Sequence, residues 1–504
     1  MSEPTSGDGT NQQLERLISQ LDKPIAETLN QALEGADISV KQATELFETT
    51  GLEFNALQLA ADTLRRQTVG DVVTFVINRN VNFTNVCIKR CGFCAFSRDF
   101  REEEGYFLPV EEIVRRAKEA WDYGATEVCI QAGLPPQMEG DLYIRLCRAI
   151  KKELPEIHVH GFSPEEVLYG SIRSQCTIKE YLEGLKEAGV GSLPGTSAEI
   201  LDQSLRDEIS PGRIRVDQWT EVITTAHELG IPTTSTVMFG HLETNEQIAN
   251  HIGLIRDIQM RSGGITEFVP LSFVNSEAPM FLKGLIENVR SGPTGMDVIK
   301  VHAISRIMLN NWIPNIQASW VKEGSRMSQL LLNAGVNDLG GTLINESIST
   351  SAGAQHGQLM RPAEFRSMIR QAGRIPAERY TDYRIKRLFN DNDQELDPLD
   401  LVGENVEEIF SIGLNRAIIL IAEAKPGRMS SSVIKDLGGH PEDKKPVRIM
   451  KGQYGPYVKY KSLNATIPEE KDPNEITMDD AIILIEKRKE YDSNKKNNRR
   501  KGNK

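Results

Sequence analysis

The sequence predicts an α/β protein: a (β/α)8 barrel of the TIM type, with a helical N-terminal preface and a small α+β module at the C-terminus. Three observations predict it. From residue 74, short β-rich runs alternate with longer amphipathic runs, the rhythm of parallel strands joined by crossover helices. The alternation occurs eight times over roughly 300 residues, as such a barrel requires. At 504 residues the chain exceeds the usual size of one hydrophobic core, so other structure must flank the barrel.

The elements follow in order. Residues 1–10 are polar and read as a disordered lead. Residues 11–70 form the preface, with apolar residues at helical spacing (Leu14, Ile18, Leu21, then Ile25, Leu29, Leu33) and a second run from Val40 to Phe47. The barrel is assigned to 71–389. Its eight strands are expected at 74–83, 126–133, 156–163, 191–197, 232–240, 266–273, 314–320 and 338–346. Helical stretches such as VEEIVRRAKEAWDYG and RVDQWTEVITTAHELG lie between them and end in glycine, a common C-cap. The strand ends QAG, HGFS, PGTS, GH, ASW and GGT are rich in small and polar residues, which suits a ligand-binding rim at the C-terminal face. The acidic, Asn-rich stretch 390–405 reads as a linker, 406–490 as the module, and 491–504 as a basic disordered tail.

Composition narrows the function. Hydrophobic residues at 39% and charged residues at 26% suit a globular enzyme, and no apolar run is long enough to span a bilayer. The N-terminus lacks the features of a secretory signal, so the cytoplasm is the expected location. The net charge of −12 is unevenly distributed: residues 406–504 carry 20 Lys and Arg against 15 Asp and Glu, net +5, which leaves 39 against 56, net −17, for the rest. An acidic main body argues against duplex binding there, because phosphate affinity rests on clustered cations.

Cys87, Cys91 and Cys94 lie within the stretch NVCIKRCGFCAFSRD, directly after the first barrel strand, where a loop reaches over the barrel mouth. In a reducing compartment such a cluster points to metal ligation. Three thiolates can hold three irons of an iron–sulfur cluster and leave one open, whereas a structural zinc site takes four protein ligands. Cys129, Cys147 and Cys176 read as buried or incidental residues.

The CxxxCxxC spacing followed by an aromatic residue resembles the radical S-adenosylmethionine (SAM) superfamily. With its flanks, NRNVNFTNVCIKRCGFCAFSRD resembles the CofH family, the second subunit of FO synthase, as do IQAGLPP, HVHGFSPEEV, LPGTSAEIL, TTSTVMFGHLET, FVPLSFVN, IQASWVKEG and NDLGGTLINESISTSAG. The resemblance covers roughly residues 15–385. It implies one 4Fe-4S cluster held by Cys87, Cys91 and Cys94, with SAM on the open iron. It also implies transfer of the 4-hydroxybenzyl group of L-tyrosine to 5-amino-6-(D-ribitylamino)uracil, releasing 2-iminoacetate, methionine and 5′-deoxyadenosine in biosynthesis of the deazaflavin FO. The partners implied are an electron donor such as ferredoxin or flavodoxin and the companion FO synthase subunit. By analogy, Phe93, Gln131, Gly133, Glu199 and Arg215 are candidates for cofactor contact. His160 and His241 are candidates for substrate contact, with His158, on the same strand face, expected to be structural. Aminofutalosine synthase and dehypoxanthine futalosine cyclase share the barrel and cluster and are the rival readings; Ser97 in the FSR segment favours FO synthase.

The run LGGHP followed by GPYVK and NATIP resembles the C-terminal repeat of bacterial type I DNA topoisomerases. Tyr454, Tyr457 and Tyr460 with Lys451, Lys459 and Lys461 carry the aromatic and basic types with which single-strand binders stack bases and meet phosphates, and a weak nucleic-acid contact is the expectation there. The alternative is a small β-rich module whose aromatics are its core. A nucleic-acid-associated iron–sulfur protein is the second functional reading.

Overall fold

A computed structural model of the protein describes residues 6–98, 105–390, 396–402, 433–443, 445–452, 455–461, 463–468, 471–473 and 476–501. The chain divides into two units, 1–415 and 416–504.

The first unit opens with four helices, Ser6–Ile18, Lys23–Leu33, Val40–Phe47 and Gly51–Val69. The first begins at Ser6, inside the stretch expected to be disordered. Their apolar stripes, including Leu14, Leu29, Leu46 and Leu57, are buried in the main core.

The barrel strands are β1 (Val72–Val76), β2 (Asn78–Val81), β3 (Glu127–Ile130), β4 (His158–His160), β5 (Thr233–Phe239), β6 (Ile265–Ser272) and β7 (Asp338–Gly341). β1 and β2 form the two halves of one stave. β2 pairs in parallel with β3, and β3 with β4. Single bridges from His160 to Ser192 and from Leu193 to Thr233 carry the ring to β5, which pairs with β6. Bridges from Phe268 to Ile316 and from Gln317 to Asp338 lead to β7, which closes on β1. The ring therefore has eight parallel staves at the eight expected places. Two of them shrink to single bridges because Pro194 and Pro314 lack the N–H a ladder needs.

A hairpin, β8 (Ile375–Arg379) and β9 (Ile385–Leu388), closes the N-terminal end of the barrel. β8 runs parallel to β1 on the edge away from β7. Its turn lies across the barrel end: the Thr381 hydroxyl donates to Glu127 at 2.7 Å and the Tyr383 hydroxyl donates to Glu267. Arg379 donates to Asp338 at 2.6 Å and to Glu267 at 3.3 Å, with its guanidinium 4.1 Å from the Tyr383 ring centroid. Buried charges persist only when paired in this way.

The stretch expected to be a linker is packed where it is described. Leu399 is buried, and Arg366 on the helix Pro362–Gln371 pairs with Asp397 and with Asp400 at 2.7 Å.

The second unit holds an antiparallel sheet, β10 (Val433–Gly439), β11 (Pro446–Gly452), β12 (Gly455–Tyr460) and β13 (Leu463–Thr466), and a helix, Met478–Lys501. The helix runs through most of the stretch expected to be a disordered tail, where Lys and Arg are the good helix formers. Val447, Ile449, Val458, Tyr460, Ala465, Ala481 and Ile485 form its core. Tyr460 is thus a core residue, stacked on His440 at 4.7 Å. The outer sheet face sets Arg448 opposite Lys459 and Met450 opposite Tyr457. Tyr454 and the Lys451 side chain lie outside the described residues.

Candidate active site at the barrel mouth

The segment carrying Cys87, Cys91 and Cys94 lies over the C-terminal ends of the staves and is fixed by a backbone bond within itself and by bonds to three other segments. The Cys87 N–H donates to Arg98 at 3.1 Å, Ile88 to Leu134 at 2.9 Å, Gly92 to Ile209 at 2.8 Å, and Met280 donates to Gly92 at 2.7 Å. Gly133 is packed so tightly on this segment that a Cβ would lie 2.3 Å from the Val86 carbonyl oxygen, so only glycine fits.

Arg213 reaches the cysteines from the other side. Its guanidinium lies 3.1 Å from the Cys91 sulfur, 2.8 Å from the Ser197 hydroxyl, 3.1 Å from Glu199 and 5.7 Å from the Phe93 ring centroid. Burial pushes the Cys91 thiol up to about 12 while Arg213 pulls it down, and burial likewise raises Cys94. Among the described residues no three His, Cys, Asp or Glu side chains converge where a single metal ion would sit.

The loop after the stave at Ser192 forms one wall. Ser197 and Glu199 both have left-handed backbone, with φ of 63° and 41°. Arg206 holds them there: it donates to the carbonyls of Ser197 at 2.9 Å, Ala198, and Ile214 at 2.8 Å, and pairs with Glu199 at 3.1 Å. Opposite, Glu166 accepts from the Ala132 N–H at 3.0 Å and from Ser163, which fixes the Gln131–Gly133 turn. Burial lifts this carboxyl to about 7. The Gln131 carbonyl accepts from Asn82 at 2.8 Å, and its side chain reaches Cys129 and Thr196.

A cavity of about 160 Å³ opens between these walls, lined by Phe93, Cys94, Thr196, Glu199, Ser272 and Lys322 among others. Below it the inward residues of the staves are polar: Asn78, Asn80, Glu127, His158, His160 and Thr234 occupy positions that most barrels fill with branched apolar residues. The Ser272 hydroxyl and the Asn80 side-chain oxygen are buried with no hydrogen-bond partner among the described residues. Lys322 is drawn below the usual lysine range by burial, against the pull of Glu346 and Glu323.

The structure thus gathers Phe93, Gln131, Gly133, Glu199 and the cysteines around one mouth. Arg215 departs from the expectation. It caps the helix Val216–Glu228, faces solvent and pairs with Asp217 at 3.2 Å, while Arg213, two residues earlier, occupies the site. His241 is fully buried behind Phe273, its ring bound to the Met238 carbonyl at 3.1 Å and 3.3 Å from Glu243. Sequence reasoning missed Arg206, Arg213, Lys322, Glu166 and Ser192. Only Glu166, three residues after Ser163, carried a local signal, a capping box.

The comparisons with known proteins agree with this geometry. The family model of the radical SAM superfamily matches residues 81–255, and that of the CofH/MqnC C-terminal region matches 262–392. A protein of Methanocaldococcus jannaschii named 5-amino-6-(D-ribitylamino)uracil--L-tyrosine 4-hydroxyphenyl transferase is 48% identical over 352 residues, 69% of this chain and 97% of that one. The chain belongs to the CofH family of radical SAM enzymes. A second protein of that name, from Methanothermobacter thermautotrophicus, is 48% identical over 347 residues, 69% of this chain and 94% of its own length. Among solved structures, the hydrogenase maturase HydG of Carboxydothermus hydrogenoformans aligns with TM-score 0.56 at 18% identity, covering 75% of this chain and 85% of that one. Methylornithine synthase aligns with TM-score 0.51 at 18% identity, covering 69% and 95%. Both show the fold. The model of the topoisomerase C-terminal repeat matches 440–496.

Membership in this CofH family implies a 4Fe-4S cluster and SAM, and the donor set fits them. The three thiols share a segment over the mouth, and the Arg213 guanidinium beside Cys91 favours the thiolate that iron requires. No helix among the described residues is long and apolar enough to cross a membrane.

Proposed function

We propose that this chain joins the 4-hydroxybenzyl group of L-tyrosine to 5-amino-6-(D-ribitylamino)uracil, in biosynthesis of FO. The observation that carries the reading is the 48% identity that runs through 97% of a relative bearing that activity in its name, over the whole barrel with its cysteine segment. The polar lumen supports it, because a ribityl pyrimidine brings many hydroxyl and amide groups that must be hydrogen-bonded once buried.

In this reading Cys87, Cys91 and Cys94 hold the cluster. A bound cluster and SAM would supply the radical chemistry that starts with removal of a hydrogen atom from tyrosine. Arg213 would neutralise charge at the thiolates, and Glu166 and Arg206 orient the loops at 131–133 and 197–199 beside the mouth. Lys322, half-buried, offers its amino group to a carboxylate in the cavity. The barrel walls and the hairpin turn exclude competing hydrogen donors. An electron donor, the companion FO synthase subunit and a cytoplasmic location complete the reading.

Mass spectrometry of an anaerobic reaction with SAM, reductant, tyrosine and the pyrimidine tests it: the hydroxybenzyl adduct is expected only when both substrates are present. Deoxyadenosine formation indifferent to both would overturn the reading.

The C-terminal unit has its own core and lies beyond the residues matched by the two family models, 81–255 and 262–392, and this reading assigns it no part in the chemistry. A chain ending at Asn415 is expected to turn over within about twofold of the full chain. We assign the outer face with Arg448, Lys459 and Tyr457 a weak single-strand contact, which the same truncation removes in an oligonucleotide titration.

A further inference from the structure

The reaction proposed above releases a proton. SAM enters as a sulfonium cation, whereas methionine, 5′-deoxyadenosine, 2-iminoacetate and the adduct leave with no net charge. The electron that opens the sulfonium is recovered when the benzylic carbon has bonded to the pyrimidine, and the adduct becomes neutral by losing an N–H proton. One proton must therefore leave the closed barrel in each turnover.

Three side chains in the lumen are joined by hydrogen bonds. On β4, His158 and His160 point to the same side, into the barrel, while Val159 packs outward. Their rings meet on one hydroxyl: His158 Nε2 and His160 Nδ1 each lie 2.7 Å from Ser192 Oγ. A hydroxyl has one proton to donate, so one ring donates to Ser192 while the other accepts from it. His160 is register partner to Cys129, one layer below Gln131 at the mouth. At the other end, His158 lines a separate cleft of about 670 Å³ outside the N-terminal end of the barrel, with Thr126, Glu156, Thr381 and Asp382. Gly191 permits this, since a Cβ there would lie 2.4 Å from the His158 ring.

We propose that His160, Ser192 and His158 form a proton wire from the barrel lumen to the cleft at its N-terminal end. His160 Nε2 takes the proton and Nδ1–H passes one to Ser192 Oγ. The hydroxyl proton moves to His158 Nε2, and His158 Nδ1–H gives one to water in the cleft. The rings shift tautomer back before the next turnover.

The surrounding charges bear on both rings. Burial lowers His158 and holds His160 down at about 4, so each is neutral near pH 7 and carries the single ring proton a hand-off needs. Glu127 on β3 is pushed up by burial but drawn net below the usual carboxylate range, first by His160 and His158 and then by its bonds from Asn78 and Thr381, so it favours a passing charge on either ring. Arg379 on β8 opposes charge on His160; at His158, Lys151 opposes it and Asp382 in the hairpin turn favours it.

The inference rests on the proposed reaction, and the test separates the two. His158→Phe fills the ring's space without relaying, and His158→Ala leaves room for a small molecule from the cleft. Both are expected to keep iron content and first-turnover deoxyadenosine formation, and to lower adduct formation by about 10- to 100-fold. Imidazole added to His158→Ala restores adduct in proportion to its concentration, and thiazole, similar in shape but without an N–H, does not. Adduct from the wild type with unimpaired His158→Phe overturns the wire and leaves the reaction standing. Loss that imidazole does not restore, or that thiazole restores equally, also overturns it. No adduct from the wild type overturns the reaction and with it the charge balance that calls for a wire.

Discussion

Cys91→Ala protein, reconstituted anaerobically with iron and sulfide, is expected to carry almost no cluster and to form deoxyadenosine no faster than a protein-free control. Each thiolate of a three-cysteine set binds its own iron, so losing one leaves a cluster with two open corners that the segment cannot retain. The fold should survive. The substitution removes one sulfur from a buried site, a packing loss of about 1–2 kcal/mol, which is small against the usual 5–15 kcal/mol of a folded domain, roughly speaking. Cys147→Ala supplies the comparison, because that thiol is at least as buried, on the helix Leu142–Glu153, with no part in the site. It should lose similar thermal stability and keep full iron and activity. Equal loss of iron in both variants would mean that Cys91 acts through packing alone.

Periodicity disclosed the barrel because parallel staves buried on both faces leave runs that differ from the helices between them in length and residue type. All eight fell where expected, including those at 191–197 and 314–320, which prolines reduce to single bridges. The hairpin β8–β9 was not legible: β9 has mostly exposed side chains, so its alternation carries little hydrophobic signal. The stretch 396–402 looked like a linker because its acidic residues read as solvated, yet Asp397 and Asp400 are paired with Arg366, a partner separated in sequence. The cysteines were legible because their chemistry depends on local spacing. Arg213 was not, since RIR offers two arginines and only the packing of the loop on Glu199 determines which one turns inward. His158 and His160 were legible as a pair on one strand face, but Ser192, the hydroxyl that connects them, is an ordinary small residue until β4 is set beside it.

The Arg206→Met variant is expected to lose about 3–5 kcal/mol of unfolding free energy in a denaturant titration, the range for breaking a buried ion pair by removing one partner. The methionine keeps the volume, so the loss is polar. The carbonyls of Ser197, Ala198 and Ile214 remain buried without their donor, each costing about 1–3 kcal/mol, while Glu199 retains Arg213 and so is only half uncompensated. The left-handed conformations of Ser197 and Glu199 make the effect local as well as global, because such backbone persists only where its surroundings impose it. Activity should therefore fall at temperatures where the protein is still folded, since Thr196, Ser197 and Glu199 line the cavity. Arg215→Met, nine residues further on, provides the contrast. Its side chain is 58% exposed and paired only with the exposed Asp217, so stability should change by less than about 0.5 kcal/mol and turnover should not change. If the two variants behave alike, the loop after the fourth stave does not depend on Arg206, and the assignment of that arginine as its anchor is wrong.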